Sequence, residues 1–211
     1  MRRWVRAVAA LVGATGLLAL VLGTVVAQQV GRDDTVPLAR GLVSTSGMAV
    51  TTHPGLLSIF GPTLVARAES ADGVPLWLGV AHEVDVDSYL ADRRLAEVTG
   101  VTLRRELQTR STGGSAEPLV VPAGRDWWVM HDDGPRPEIR WPMTDGHFDL
   151  ALLRADGQAG LRADLDVQLK LPGLFRTAVV VAASGLTIAV AASWRWTRRR
   201  ARPAATAAGT L

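Results

Sequence analysis

Two stretches of this chain, 7–27 and 177–194, carry no charged residue and are almost wholly apolar. A helix rises ~1.5 Å per residue, so their lengths correspond to about 31 Å and about 27 Å. Either crosses a hydrocarbon core of ~30 Å, the second more fully when Leu174 and Phe175 are included. Inside such a core the backbone is satisfied only if the segment is helical, so both are predicted to be membrane-spanning helices. A buried helix of a soluble domain fits the second stretch poorly. It would have to run uncharged for its whole length and then meet a block of arginines.

Between these stretches the pattern changes to period two. Leu161, Ala163, Leu165, Val167, Leu169 and Leu171 alternate with Arg162, Asp164, Asp166, Gln168 and Lys170, as in a strand with one buried face. The run 148–153 predicts a second strand, joined to the first by turns at Asp156-Gly157 and Gly160. Shorter strands are predicted at 47–52, 63–68, 75–81, 101–107, 126–131 and 138–141. One helix, 86–98, is expected among them, with Asp85 or Asp87 as its cap. Short strands separated by Gly, Pro and Asp predict a mainly β fold: an antiparallel β-sandwich with one short helix, flanked by two transmembrane α-helices.

Charge sets the orientation. Arg2, Arg3 and Arg6 precede the first apolar stretch, and Arg195, Arg198, Arg199, Arg200 and Arg202 follow the second. The segment 28–176 holds 15 basic residues and all 20 acidic ones, a net of −5 that the eight flanking arginines turn into the overall +3. Positive flanks stay in the cytoplasm, so both termini are expected inside and the central segment outside. Trp4, Trp194 and Trp196 suit the two headgroup regions. The expected layout is a cytoplasmic tail (1–6), a transmembrane helix (7–27), a stalk (28–40), an extracytoplasmic domain (41–173), a second transmembrane helix (174–194) and a basic, disordered cytoplasmic tail (195–211). A cleavable signal peptide is the rival reading of 7–27, with Val25-Val26-Ala27 as the cleavage site, but the stretch exceeds the usual h-region of ~7–15 residues. No cysteine is present, which excludes a lipoprotein anchor and any disulfide framework. The high pI resides in membrane-flanking arginines, so no nucleic-acid partner is inferred.

Several stretches resemble a pattern found in actinobacterial two-span membrane proteins: Leu76-Trp77-Leu78-Gly79-Val80-Ala81 followed by Val84-Asp85-Val86-Asp87-Ser88-Tyr89-Leu90, then Trp141-Pro142-Met143-Thr144-Asp145-Gly146-His147-Phe148 and Ala155-Asp156-Gly157-Gln158-Ala159-Gly160. The resemblance runs from about Leu64 to the second apolar stretch. It implies the two-span topology and an exported β-rich domain, and brings no catalytic residues with it.

Chemistry is sparsely signalled. There is no Gly-x-Ser-x-Gly elbow, no Ser-x-x-Lys and no phosphate-cradling glycine loop, so nucleophilic and nucleotide-driven functions have no support. His82-Glu83 opens like a zinc-protease helix, but the position four residues on is Val86. His131-Asp132-Asp133 and the pair His147 and Asp149 group imidazoles and carboxylates near predicted strand ends, where a cation could bind; ordinary turn chemistry explains the same residues. Arg93 and Arg94 read as a solvated face. Trp127 and Trp128, placed on a strand, would point to opposite faces, one into the core and the other either lining a carbohydrate or peptide groove with Trp77 or Trp141 or capping the sandwich edge, with core packing the favoured reading. The expectation is a non-enzymatic binding or accessory module of the cell envelope, without cofactor. Its expected partners are the lipid bilayer and another membrane or envelope protein. A metal-dependent hydrolase acting on envelope material is the competing class.

Overall fold

The computed structural model describes residues 2–200 except 54, 56 and 58–60. Arg202 and the rest of the predicted tail beyond residue 200 lie outside the described residues. In chain order the elements are α1 (Arg2–Val30), β1 (Thr35–Thr45), β2 (Ala49–Thr52), β3 (Thr63–Ser70), β4 (Leu76–His82), α2 (Glu83–Tyr89), β5 (Leu95–Val101), β6 (Leu107–Ser111), a 3-10 turn (Pro122–Gly124), β7 (Met130–Gly134), β8 (Glu138–Pro142), β9 (Phe148–Arg154), β10 (Leu161–Lys170) and α3 (Leu174–Arg200). They form two units: residues 1–34 with 173–211, and residues 35–172.

The first unit is the helix pair α1 and α3. Each contains 21 residues apolar enough to cross a membrane, Ala10–Val30 and Leu174–Trp194, and most of that surface is exposed. The two helices approach closely through small residues. A Cβ on Gly185 would fall 2.5 Å from the Gly16 carbonyl oxygen and 2.5 Å from the Leu20 nitrogen. One on Gly23 would meet the Ala178 oxygen at 2.7 Å. The hydroxyls inside the helices are satisfied locally: Thr15, Thr24 and Thr187 each donate to the carbonyl four residues back. Asp34, in the left-handed region at φ 57°, closes the pair. Its carboxylate accepts from the Gly173 N–H at 2.9 Å and the Phe175 N–H at 2.8 Å, a cap for the α3 N-terminus supplied from the other end of the chain.

The second unit is β-rich. Sheet A has the order β1-β10-β3-β8 and sheet B the order β6-β5-β2-β9-β4-β7. Sheet A is antiparallel throughout. The expectation of a wholly antiparallel fold is corrected in sheet B, where β2 and β5 run parallel from Ala49↔Leu95 to Thr52↔Val98. Leu64, Ala66, Ile139, Trp141 and Leu165 from sheet A share one core cluster with Val50, Leu78, Val80, Val98 and Leu152 from sheet B. The other face of sheet B is covered by α2 and by the loop after β6, through Val86, Leu90, Leu119 and Trp128 packed on Trp77, Ala81, Ala151 and Leu153. Apolar cover on both faces explains why β4 and β9 are buried almost end to end.

Four local expectations are corrected. The stalk at 28–40 is absent: α1 continues to Val30 and β1 begins at Thr35. The polar, turn-rich composition of 28–40 predicts a linker, but β1 is an edge strand, with a register shift between Pro37 and Ala39, where the N–H that Pro37 lacks is harmless. The helix expected at 86–98 is Glu83–Tyr89, with His82 at its N-cap and no side-chain cap from Asp85 or Asp87. Asp92 at φ 59° ends that path, and Ala96 and Val98 then alternate inward as part of β5. The strand expected at 101–107 is the tight turn between β5 and β6, closed by Thr102 N–H to the Glu106 oxygen and Arg105 N–H to the Thr102 oxygen. The run 108–118, whose Ser, Thr, Gly and Pro content predicts a flexible surface loop, is strand β6 in its first part.

Candidate functional site

The most unusual polar environment lies where β2, β9, β4 and β5 end together. Asp149 follows Phe148 at the start of β9 and pairs across the sheet with Ala81. It is 2% exposed. The Thr52 hydroxyl donates to its Oδ1 at 3.1 Å, and the same hydroxyl accepts from the Leu150 N–H at 3.0 Å. Burial pushes the Asp149 carboxyl up to about 6; the Thr52 bond opposes the rise, and the nearby charges of Glu83, Asp87 and Glu97 add to it. Asp87 is likewise raised, first by its burial and then by Glu83 and Glu97.

Imidazoles surround these carboxylates. His53 Nδ1 lies 2.5 Å from Glu97 Oε1, and His147 Nδ1 lies 3.8 Å from Glu83 Oε2. His82 stacks on Phe148 with centroids 4.5 Å apart. An open depression beside them is lined by His82, Glu83, Val84 and His147. The arrangement is one of separate pairs, each imidazole on its own acid or ring. A cation needs three or more ligands aimed at one point. Among the described residues no group of three His, Asp or Glu is so arranged.

The residues singled out in the sequence divide between two places. His147 and Asp149 belong to this cluster. His131 lies across β4 from it, opposite Gly79, and stacks on Trp77 at 4.2 Å. Asp132 spends its carboxylate on a turn, accepting the Glu138 N–H at 2.7 Å, and Asp133 pairs with Trp77 across the sheet. Gly79 and Ala81, the β4 partners of His131 and Asp149, are two residues apart, about 7 Å along the strand. The flanking strands add the width of two ladder spacings. The two histidine–aspartate groups therefore do not form one site. His82 and Val86 share no ligand role either, His82 being the cap of α2. Thr52 and Glu97 carry no signal in the sequence, and Glu83 and Asp87 stand out there only as part of a zinc-helix near-miss and as a helix cap; the signal for this place is one acid inside the otherwise apolar run 148–153.

Trp127 and Trp128 are not in a strand. They follow the 3-10 turn, and their rings lie 4.3 Å apart on the same side. Trp128 is buried and donates its Nε1–H to the Pro122 carbonyl at 3.2 Å. Gly79 makes room for it, because a Cβ there would meet the Trp128 ring at 2.6 Å. Tyr89 completes the cluster edge-on to Trp127 at 5.5 Å, its hydroxyl donating to the Val120 carbonyl at 2.5 Å. Burial pushes the Tyr89 hydroxyl up to about 12 against the pull of Arg125, whose guanidinium stands 5.6 Å over its ring. Trp77 and Trp141 are core residues at 3% and 2% exposure, leaving only half-buried Trp127 at the surface. Arg93 is no solvated charge: it reaches Glu117 at 3.1 Å, while Arg94 is exposed.

No family model, curated protein or solved structure matches this chain.

Proposed function

We propose that this is a membrane-anchored protein that presents an extracytoplasmic β-sandwich as a non-enzymatic binding or accessory module of the cell envelope. The carrying observation is the bracketing of one β-rich unit by two helices of spanning length, with arginines on the terminal side of each. That charge pattern keeps both termini in the cytoplasm and sends the centre across. Two sheets contributing to one apolar core are what a sandwich requires. The binding reading draws on the way acids and imidazoles are already engaged in pairs, His53 with Glu97 and His147 with Glu83, since hydrolysis needs acids, bases and a reacting position to converge. The resemblance to actinobacterial two-span proteins agrees with this topology.

Reporter fusions test the placement. A periplasmic-type phosphatase inserted in the loop 112–118 is expected to be active, and one fused after Arg202 inactive. The reverse pattern would overturn the orientation, and activity at both sites would mean that α3 does not span.

A further inference from the structure

The turn between β5 and β6, residues 102–106, points to the end of the β-rich unit where the chain enters and leaves it. β1 starts there at Thr35, opposite Lys170 of β10, and Pro172 is the last residue of the unit. The Met48 N–H donates to the Arg94 carbonyl at 2.7 Å, which sets the start of β5 beyond the far end of β1 at Thr45. The Arg40 N–H donates to the Arg105 carbonyl at 3.0 Å, so β5 runs back toward Thr35 and its turn lies partway along β1. Arg40 is five residues from Thr35, at most about 17 Å of extended strand.

The residues of this turn are not those its backbone favours. The Glu106 N–H donates to the Thr102 hydroxyl at 3.1 Å, and Arg105 sits in the left-handed region at φ 66°. Such a position ordinarily takes Gly, Asn or Asp. Here it holds an arginine, and the residue standing out at the tip is a leucine. Leu103 is fully exposed and Val101 exposed, with Arg104 and Arg105 exposed beside them. Glu106 is the one acid in the turn. The acids around Asp149 reach β5 at Glu97, four residues and about 13 Å before Val101, farther than a Debye length of ~8 Å. An exposed leucine flanked by arginines suits a lipid interface, where the apolar side chain enters the acyl boundary and guanidinium groups stay with the phosphates.

We propose that the β5–β6 turn is a lipid-contact element. Leu103 enters the boundary of the extracytoplasmic leaflet, and Arg104 and Arg105 pair with headgroup phosphates, anionic lipids above all. This rests on the two-span reading, under which the chain leaves the bilayer just before Thr35 and re-enters it just after Pro172. The turn then gives the β-rich unit a third attachment besides its two chain ends.

The chain has no cysteine, so a nitroxide label on Leu103→Cys reports the turn in the full chain, reconstituted in nanodiscs of mixed phosphatidylcholine and phosphatidylglycerol. Its collisions with a water-soluble nickel complex are expected to be at least about fivefold rarer than for a label on Gly113→Cys, an exposed position in the loop that meets Arg93 at the opposite end of β5. A label on Val101→Cys leaves Leu103 and both arginines in place and is expected to be protected to a lesser degree. Adding Arg104→Glu and Arg105→Glu is expected to bring the Leu103→Cys label back to the Gly113→Cys value. Equal nickel access at the two positions overturns the proposal. So does protection that the charge reversal leaves unchanged, which would rule out pairing with headgroups. Protection that persists in lipid-free amphipol would assign the cover to protein, such as a second copy, and overturn it as well. The reporter fusions stand apart from this test: a turn open to nickel in a chain whose fusions give the expected pattern refutes the lipid contact and leaves the two-span reading in place.

Discussion

Asp149 links protonation to folding in the β-rich unit. Its folded-state value of about 6 lies above the ordinary 3.8, so the fold favours the neutral carboxyl. Below the ordinary value both states are protonated and folding bears no penalty. As pH rises from about 4 through 6 the penalty grows, and above 6 it is complete. Asp149→Asn removes the titration while its amide oxygen still accepts from Thr52. The expected gain at pH 7 is on the order of 2 kcal/mol, vanishing near pH 4. Melting curves of the full chain in detergent across pH 4–8 check it; an equal effect at both ends would mean that charge burial is not the cause. Glu138 acts with the opposite sign: the Arg67 bond, then Arg140, holds it near 2, so its contribution is present above about pH 4.5 and is lost as pH falls toward 2. The sequence made Asp149 visible but not its burial, because the four partners that define its environment come from β2, α2 and β5 and share no local spacing with it.

At the scale of elements, the helix pair makes a sharp geometric claim. A Cβ on Gly13 would stand 3.5 Å from the Ala192 Cβ, within the usual range for a disulfide of about 3.5–4.5 Å. The chain has no cysteine of its own, so a Gly13→Cys, Ala192→Cys variant is expected to cross-link intramolecularly in membranes under mild oxidation. Adding Gly185→Leu should abolish that cross-link, because even a Cβ there strikes the backbone of α1. Cross-linking that survives Gly185→Leu would refute the packing. Elements whose period was unbroken were legible. Leu161–Lys170 falls where alternation puts it, and Phe148–Arg154, Thr63–Ser70 and Leu76–His82 fall on short apolar runs bounded by turn residues. Those that failed had conflicting local signals. The polar, turn-rich composition of 28–40 hides an edge strand, and Leu95–Val101 continues a helical-looking apolar spacing across the break at Asp92. Aromatic propensity favours a strand at Trp127-Trp128, although Val129 N–H to the Val80 oxygen is where pairing begins.

Across the whole molecule, topology was the least legible property. Nothing local predicts that β2 and β5 run parallel, or that the first strand pairs with the last from Thr35↔Lys170 to Thr45↔Leu161; these are long-range choices settled by the shared core. The placement of β10 between β1 and β3 makes sheet A depend on residues near the end of the β-rich unit. A chain stopped at Gly160 keeps the strands of sheet B but leaves β1 without its ladder partner. It is expected to lose protease resistance in both sheets, since their apolar faces enter one core cluster. A resistant fragment of unchanged size would show that β10 is dispensable.

Because β1 starts and β10 ends at the Thr35↔Lys170 pair, any force pulling the two terminal helices apart would load the ladder at its last rung. Rungs would then open one at a time, as a zipper does, instead of sharing the load in shear. That is the weakest direction in which a β pair can be pulled. The Asp34 carboxylate gripping the Gly173 and Phe175 amides and the glycine-lined seam of α1 and α3 stand in the load path ahead of it. They serve as the clasp that keeps tension off the zipper.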